Sequence, residues 1–172
     1  MALVVETGTG SASSESYASV AEANTFHTDR GLEAEWTDLD EEVKERALRK
    51  ATDYMQQEYR TGWAGERKST TQALDWPRYA VPMRDAPGGA FYDPDSIPAE
   101  VKRACMQLAY RALSTDLNPD IGPLKTRAKV GPIEVEYAEG SRQTTLYTAV
   151  DALLAPLMRG GGSATGIGVV RA

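Results

Sequence analysis

Two tryptophans of the sequence lie close to arginines in a pattern that could bind single-stranded nucleic acid. Trp63 is followed by Arg67, and Trp76 is followed by Arg78. Aromatic rings stack on unpaired bases and guanidinium groups contact phosphates, so these four side chains could clamp single-stranded DNA. The same residues could instead hold their own segment against the protein, with the arginines stacked on rings or paired with acids. The sequence leaves both interpretations open.

Other residues suited to chemistry are scarce, since the chain has one cysteine and one histidine. This pair is too small for a zinc site of the usual composition, and a single cysteine forms no internal disulfide. Cys105 lies in an apolar helical stripe, which favours a buried small hydrophobe, and His27 lies at a polar helix end, which favours a surface or capping role. Neither G-x-x-x-x-G-K-[ST] nor H-E-x-x-H occurs. We therefore predict a protein that is not an enzyme and binds no metal or other cofactor.

The charge balance argues against tight binding of nucleic acid. The chain of 172 residues carries a net charge of −6 and has a pI of about 4.9. Proteins that hold phosphates need a basic face, whereas an acidic surface would let DNA slide past. No segment approaches the roughly 18–20 apolar residues of a membrane helix, and the N-terminus lacks the features of a secretory signal. We expect the protein to remain in the cytoplasm, or in a particle assembled there.

The secondary-structure elements that would position these residues are mainly α-helical, and we predict a small helical bundle. A capping box of Ser19 and Glu22 opens a helix that runs to about Arg30, with Gly31 as the residue after its end. Apolar spacings of three and four predict a second helix over 38–60 and a third that begins near Pro98. We expect these two to form the core pair, with Lys44 on the solvent face. A short helix is predicted around 147–158.

The segments between the helices carry different signals. Residues 2–5 could form a short strand, and residues 7–16 suggest a flexible Gly/Ser linker or loop. Residues 61–97 contain too many prolines and glycines for a long helix, yet they are rich in aromatic residues. We therefore expect a long structured loop that packs over the helices.

The last third of the chain changes character. Alternating polar and apolar residues over 129–137 predict a strand, one arm of a ribbon or an edge strand, with a bend at Gly131-Pro132. Residues 160–172 begin with three glycines and end in Ile-x-Val-Val, so they could be a disordered end or an extended peptide that joins a partner's sheet edge. We predict one domain over 1–159, with a helical core at 16–113, a ribbon at 125–137 and a flexible docking tail at 160–172.

A series of short motifs in a fixed order runs through residues 16–113. It comprises Ser16-Tyr17-x-Ser19-Val20-x-Glu22, Arg46-Ala47-Leu48, Gly62-Trp63-x-Gly65-x-Arg67, Gln72-Ala73-Leu74-x-Trp76-Pro77-Arg78 and Ile97-Pro98-x-Glu100-Val101-Lys102. This order resembles a family of tailed-bacteriophage head-to-tail adaptor (connector) proteins, whose members are often labelled DnaT-like single-stranded-DNA-binding proteins.

The resemblance implies a ring subunit, commonly twelvefold, in the neck of a virion assembled in the host cytoplasm. It would join the portal protein to a downstream neck or tail protein (a stopper, tail terminator or tail tube), and genomic DNA would pass through the lumen without sequence-specific binding. The alternative is a single-stranded-DNA-binding accessory protein that uses Trp63, Arg67, Trp76 and Arg78. For the adaptor, the ribbon would contact neighbouring subunits through Lys129, Val130, Ile133, Val135 and Tyr137. The tail would dock on the portal through Ile167, Val169, Val170 and Arg171.

Overall fold

The computed structural model describes residues 2–120, 127–130, 133–136 and 145–161 and has a mainly helical architecture, as predicted. Two small antiparallel pairs of strands complete it, Glu66–Arg67 with Arg78–Tyr79 and Arg127–Val130 with Ile133–Glu136. No helix within these ranges is long and apolar enough to cross a membrane. The elements are α1 (Val20–Thr28), α2 (Glu41–Tyr59), β1 (Glu66–Arg67), β2 (Arg78–Tyr79), α3 (Ala99–Arg111), β3 (Arg127–Val130), β4 (Ile133–Glu136) and α4 (Thr148–Leu154).

Both predicted signals at the ends of α1 are confirmed. Ser19 Oγ accepts from the Glu22 N–H at 3.1 Å, and the Glu22 carboxylate accepts from the Ser19 N–H at 2.8 Å. Each side chain thereby satisfies a backbone donor that the helix leaves unpaired. At the other end Gly31 has φ of +73°, and the Leu32 N–H returns to the His27 carbonyl at 3.0 Å. A single π-helical turn, Glu33–Thr37, then leads towards α2.

Helices α2 and α3 form the centre of the core, as the apolar spacing predicted. Small residues on both helices allow a close approach of the two axes. Helix α4 packs against α3, and it continues into a 3₁₀ turn, Ala155–Leu157, that contains Pro156. The buried contact residues are Ala47, Leu48, Ala51 and Met55 on α2, Val101, Ala104, Cys105 and Leu108 on α3, and Val150 and Leu154 on α4.

Two polar side chains that we placed at the surface are buried, which corrects the prediction. Lys44 is only 5% exposed because its ammonium donates to the Thr37 carbonyl at 2.6 Å, at the end of the π-helical turn. His27 is 1% exposed and has rings on three sides, with centroids 4.6 Å away in Trp36, 5.1 Å in Phe26 and 5.6 Å in Tyr110. Cys105 is buried, as expected.

The N-terminal segment is a loop built around one carboxylate, so of the two alternatives for residues 7–16, a flexible linker or a loop, the structure has the loop. Glu6 is 1% exposed and accepts from the Gly8, Gly10 and Ser11 N–H groups at 2.9 to 3.0 Å, and from Ser14 Oγ at 3.0 Å. Burial acts to raise the pKa of Glu6, but these hydrogen bonds outweigh it and lower the pKa below its usual value. The predicted strand over 2–5 is reduced to a single bridge between Val5 and Ser16.

Candidate interaction surfaces

The tryptophans of the long loop lie inside the protein. Trp63 and Trp76 are both 0% exposed. Their rings meet edge to face with centroids 5.7 Å apart, and Trp63 also lies 6.0 Å from the ring of Tyr59 on α2. Edge-to-face contact is a favoured geometry for aromatic pairs and adds to the free energy gained by burying the rings. In this conformation neither indole offers a face on which a base could stack.

The arginines next to these tryptophans bind backbone carbonyl groups. Arg78 is 5% exposed and donates from Nε to the Ala64 carbonyl at 2.7 Å, and from Nη2 to the Gly65 carbonyl at 2.8 Å. Burial lowers the pKa of Arg78, Asp75 acts in the opposite direction, and Arg159 and Arg67 lower it further. Arg67 donates to the carbonyl groups of Gln72 and Leu74. The guanidinium groups therefore connect the two sides of the loop.

A glutamine completes the inside of this loop. Gln72 is 3% exposed, and its side-chain amide donates to the Leu74 carbonyl at 2.8 Å and to the Pro77 carbonyl at 3.1 Å. Gln72 thus binds the backbone of its own run, whereas Arg78 connects the run to Ala64 and Gly65. Trp63, Arg67, Trp76 and Arg78 are brought together as the sequence suggested, and their bonds are those of a structural loop.

Two aromatic residues that we did not single out from the sequence are exposed instead. Tyr79 is 46% exposed and Phe91 is 60% exposed, and both belong to the same long loop. In β2 the side chain of Arg78 points inward and that of Tyr79 points outward, as expected for neighbours along a strand. Phe91 forms a bridge with Pro82 in a hairpin-like turn that Met83 and Ala90 close by a backbone hydrogen bond of 2.8 Å. Strand alternation could have identified Tyr79.

Two exposed arginines lie at the edge of the same loop. Arg84 Nη2 donates to the Met158 carbonyl at 3.2 Å, which places it beside Arg159. Arg159 is itself close enough to Arg78 to lower its pKa. Within the described ranges, neither Arg84 nor Arg159 has a carboxylate oxygen within 4.0 Å. We call Tyr79, Arg84, Phe91 and Arg159 the aromatic–arginine surface.

The predicted ribbon exists, and both of its arms lie within the predicted range 125–137, whereas the alternation over 129–137 had been interpreted as one arm or an edge strand. Lys129 and Val130 lie in β3, and Ile133 and Val135 lie in β4. The register pairs Lys129 with Glu134 and Val130 with Ile133, so the two strands run antiparallel to each other. Tyr137 and the predicted docking residues Ile167, Val169, Val170 and Arg171 lie outside the described residues.

The part of the chain that the structure describes contains no candidate metal-binding site. No group of three or more His, Cys, Asp or Glu side chains converges there in a way that could hold a metal ion. The buried thiol of Cys105 lies 3.5 Å from Thr52 Oγ1 and 3.9 Å from Ser16 Oγ. Burial raises the pKa of this thiol, which makes it a poor nucleophile.

These observations define a mainly helical domain with an internal aromatic loop and a two-stranded ribbon. A model of the family described as "Putative DnaT-like ssDNA binding protein" matches residues 1–172, and the chain belongs to this family. No curated protein and no solved structure shows a significant match to the chain.

Proposed function

We propose that the chain is a structural head-to-tail adaptor of a tailed bacteriophage, forming a ring, dodecameric by resemblance, that joins the portal to the next neck or tail component. The protein would act by binding other proteins and would catalyse no reaction. Its place would be the neck of the virion, assembled in the host cytoplasm. The order of motifs over residues 16–113 supports this proposal, and the ribbon carries it.

The ribbon is the observation on which the proposal mainly depends. A two-stranded ribbon is marginally stable alone, so contacts with another subunit would stabilise it. In the described part of the chain, β3 and β4 pair with each other and with no third strand. Each arm therefore keeps an outer edge of backbone donors and acceptors that a strand or loop of another subunit can pair with. A ring requires contacts of this kind, in which one face of a subunit meets a different face of the next.

The tail and the charge complete the proposal. A glycine-hinged segment with Ile167, Val169, Val170 and Arg171 has the composition of a peptide that adds to the edge of a portal sheet. The net charge of −6 suits a ring whose lumen passes genomic DNA without retaining it. The remaining contact would be with a stopper, tail terminator or tail tube protein.

Two variants test separately the contact between subunits and the contact with the portal, both of which the proposal requires. Replacing residues 125–137 with a Gly-Ser linker should abolish the ring while circular dichroism shows the helices retained. Removing residues 160–172 should leave the ring intact and abolish its attachment to the portal of the same phage. Ring formation is measured by light scattering and electron microscopy of the chain mixed with that portal. Absence of the chain from purified virions would reject the proposal.

The second candidate is a single-stranded-DNA-binding accessory protein, and the aromatic–arginine surface is the observation that favours it. The family's description names single-stranded DNA, and exposed aromatic rings together with arginines that have no carboxylate partner are the residue types that stack bases and bind phosphates. The original form of this candidate, with bases on Trp63 and Trp76, would require the core to open.

Fluorescence anisotropy with labelled oligo(dT) tests the second candidate. Tyr79→Ala and Phe91→Ala should each weaken binding about tenfold, since stacking of one base contributes about 1–3 kcal/mol. Val4→Ala is the matched control, because Val4 is also exposed, at 41%, and lies outside this surface. Binding should weaken steeply with salt. Failure of the wild-type chain to bind oligo(dT) at low salt would exclude this candidate.

A further inference from the structure

An apolar cleft lies where the C-terminal end of α1 faces the C-terminal half of α3. Phe26 and His27 come from α1, Leu32 from the turn that follows it, and Tyr110 and Arg111 from the end of α3. The cleft has a volume of about 310 Å³, at the lower limit of ligand sites, which range from about 300 to 1,000 Å³. It can therefore take one large side chain or a ligand of similar size. We call it the His27 cleft.

His27 lines this cleft and has unused hydrogen-bonding capacity. The residue is 1% exposed, and neither ring nitrogen has a hydrogen-bond partner within the described part of the chain. Burial lowers the pKa of His27, and the positive charge of Arg30 lowers it further. The Met106 backbone acts to raise the pKa, but it does not lie in hydrogen-bonding geometry with either ring nitrogen. The ring is therefore neutral at pH 7, with one donor and one acceptor nitrogen. Both nitrogens are buried by the protein itself, so His27 forms part of the cleft wall through its ring.

Two arginines stand beside the apolar walls. The Arg30 Cζ atom lies 3.6 Å from the Phe26 ring centroid, and Arg30 Nη1 donates to the Phe26 carbonyl at 2.8 Å. Arg111 Nη1 donates to the Gln107 carbonyl at 2.9 Å. No carboxylate oxygen lies within 4.0 Å of either guanidinium among the residues that the structure describes. A guanidinium has five N–H donors, so both arginines keep several for a carboxylate.

We propose that the His27 cleft binds a segment of a partner protein in which an apolar side chain, aromatic or aliphatic, lies next to a carboxylate. The apolar side chain enters the cleft and meets Phe26, Leu32 and Tyr110. The carboxylate binds Arg30 and Arg111, and the ring of His27 forms part of the wall that the apolar side chain meets. Charge complementarity selects this occupant, because an apolar segment without an acid would bring no carboxylate to the two arginines that line the cleft. The proposal does not depend on the adaptor function.

The histidine itself provides the measurement. His27 is the chain's single histidine, so its ring protons give unambiguous signals in the proton NMR spectrum of the full-length protein. The probes are the peptide acetyl-Asp-Trp-Glu-amide and its neutral counterpart acetyl-Asn-Trp-Gln-amide. We expect the acidic peptide to shift the His27 signals saturably, and the neutral peptide to bind about tenfold more weakly, the factor that corresponds to about 1.4 kcal/mol.

Variants assign the effect to the arginines. The double variant Arg30→Gln/Arg111→Gln should bind the acidic peptide as weakly as the neutral one, with unchanged circular dichroism. Arg84→Gln is the matched control, since Arg84 is exposed and lies outside the cleft, and it should bind like the wild type. Equal binding of both peptides, or no shift with either, would overturn the proposal. So would a His27 shift caused by oligo(dT) alone, or one that grows with protein concentration alone, which would assign the cleft to nucleic acid or to a second copy.

Discussion

The indole rings of Trp63 and Trp76 meet at an interplanar angle of 86°, with both side chains fully buried between the long loop and the helices. Replacing either ring with alanine leaves a large cavity in the core. We expect Trp63→Ala and Trp76→Ala each to lower the free energy of unfolding by about 3–5 kcal/mol.

Urea unfolding followed by circular dichroism measures this loss. Tyr79→Ala is the control within the same loop, because its side chain is 46% exposed and its removal should change stability by about 0.5 kcal/mol or less. Equal and small effects of all three substitutions would contradict a structural role for the tryptophans.

The Glu6 carboxylate should make stability fall in acid. Its folded-state pKa is lowered, so its contribution is fully present above the unfolded pKa of about 4.5 and is lost as pH falls through the folded value. Glu6→Gln should cost about 2–3 kcal/mol at pH 7, because its amide cannot accept from all the N–H groups of the loop. Below pH 4.5 the variant and the wild type should converge, which thermal unfolding at several pH values would measure. A constant difference down to pH 2 would refute this role.

His27 should produce a second, separate dependence on pH. Its folded-state pKa is lowered by burial, so the unfolded chain takes up the proton first as pH falls below about 6.5, and stability falls from there towards the folded pKa. His27→Leu should remove the slope between pH 6.5 and the onset of the Glu6 effect. The same pH series on Glu6→Gln is the control, since that variant should retain the His27 slope.

The bond between Tyr59 Oη and Asp151 Oδ1, 2.7 Å long, joins the end of α2 to α4. Tyr59→Phe should lower the free energy of unfolding by about 1.5 kcal/mol, since it removes a hydrogen bond to a charged group and leaves that carboxylate with one partner fewer. Tyr110→Phe is the matched control, because the Tyr110 hydroxyl makes no hydrogen bond within the described residues. If both variants lose the same stability in urea, the hydrogen bond does not hold α4.

Two glycines with positive φ form a matched pair for a test of the N-terminal loop. Gly8 has φ of +107°, and a Cβ placed there would lie 2.0 Å from the Asp95 carbonyl oxygen. Gly31 has φ of +73°, but a Cβ there would meet nothing within 4 Å. Gly31→Ala should cost about 1–2 kcal/mol through backbone strain alone, and Gly8→Ala should cost clearly more because backbone must move. Thermal unfolding of the two variants compares them directly.

The helices were predictable because their signals are local. The capping box of Ser19 and Glu22 and the apolar spacing on α2 and α3 depend on residues within a few positions of each other. The Glu6 site was missed because its ligands are backbone N–H groups, which every residue except proline carries. His27 and Lys44 were misplaced because their surroundings come from the π-helical turn and from α3. Those contacts depend on how the chain folds back, and periodicity does not encode them.

The candidate surfaces were predictable in part for the same reason. In the structure Trp63 and Trp76 contact each other, and Arg67 and Arg78 both bind carbonyl groups of the same loop. Which side of the loop faces solvent depends on the direction of β2, and this placed Tyr79 outside and Arg78 inside. The alternation over 129–137 indicated a strand in the ribbon, but which residues pair across its two arms required the strand register.

The burial of Cys105 makes the thiol a kinetic reporter of how often the protein opens. The side chain is 0% exposed and lies against Ser16 at the end of the N-terminal loop and against Thr52 on α2. An alkylating reagent can reach it only while that loop or the helix pair is displaced. Because the chain has one cysteine, a single mass increment would count such events without ambiguity. Comparing alkylation rates with and without a portal would show whether assembly slows the opening of this part of the subunit.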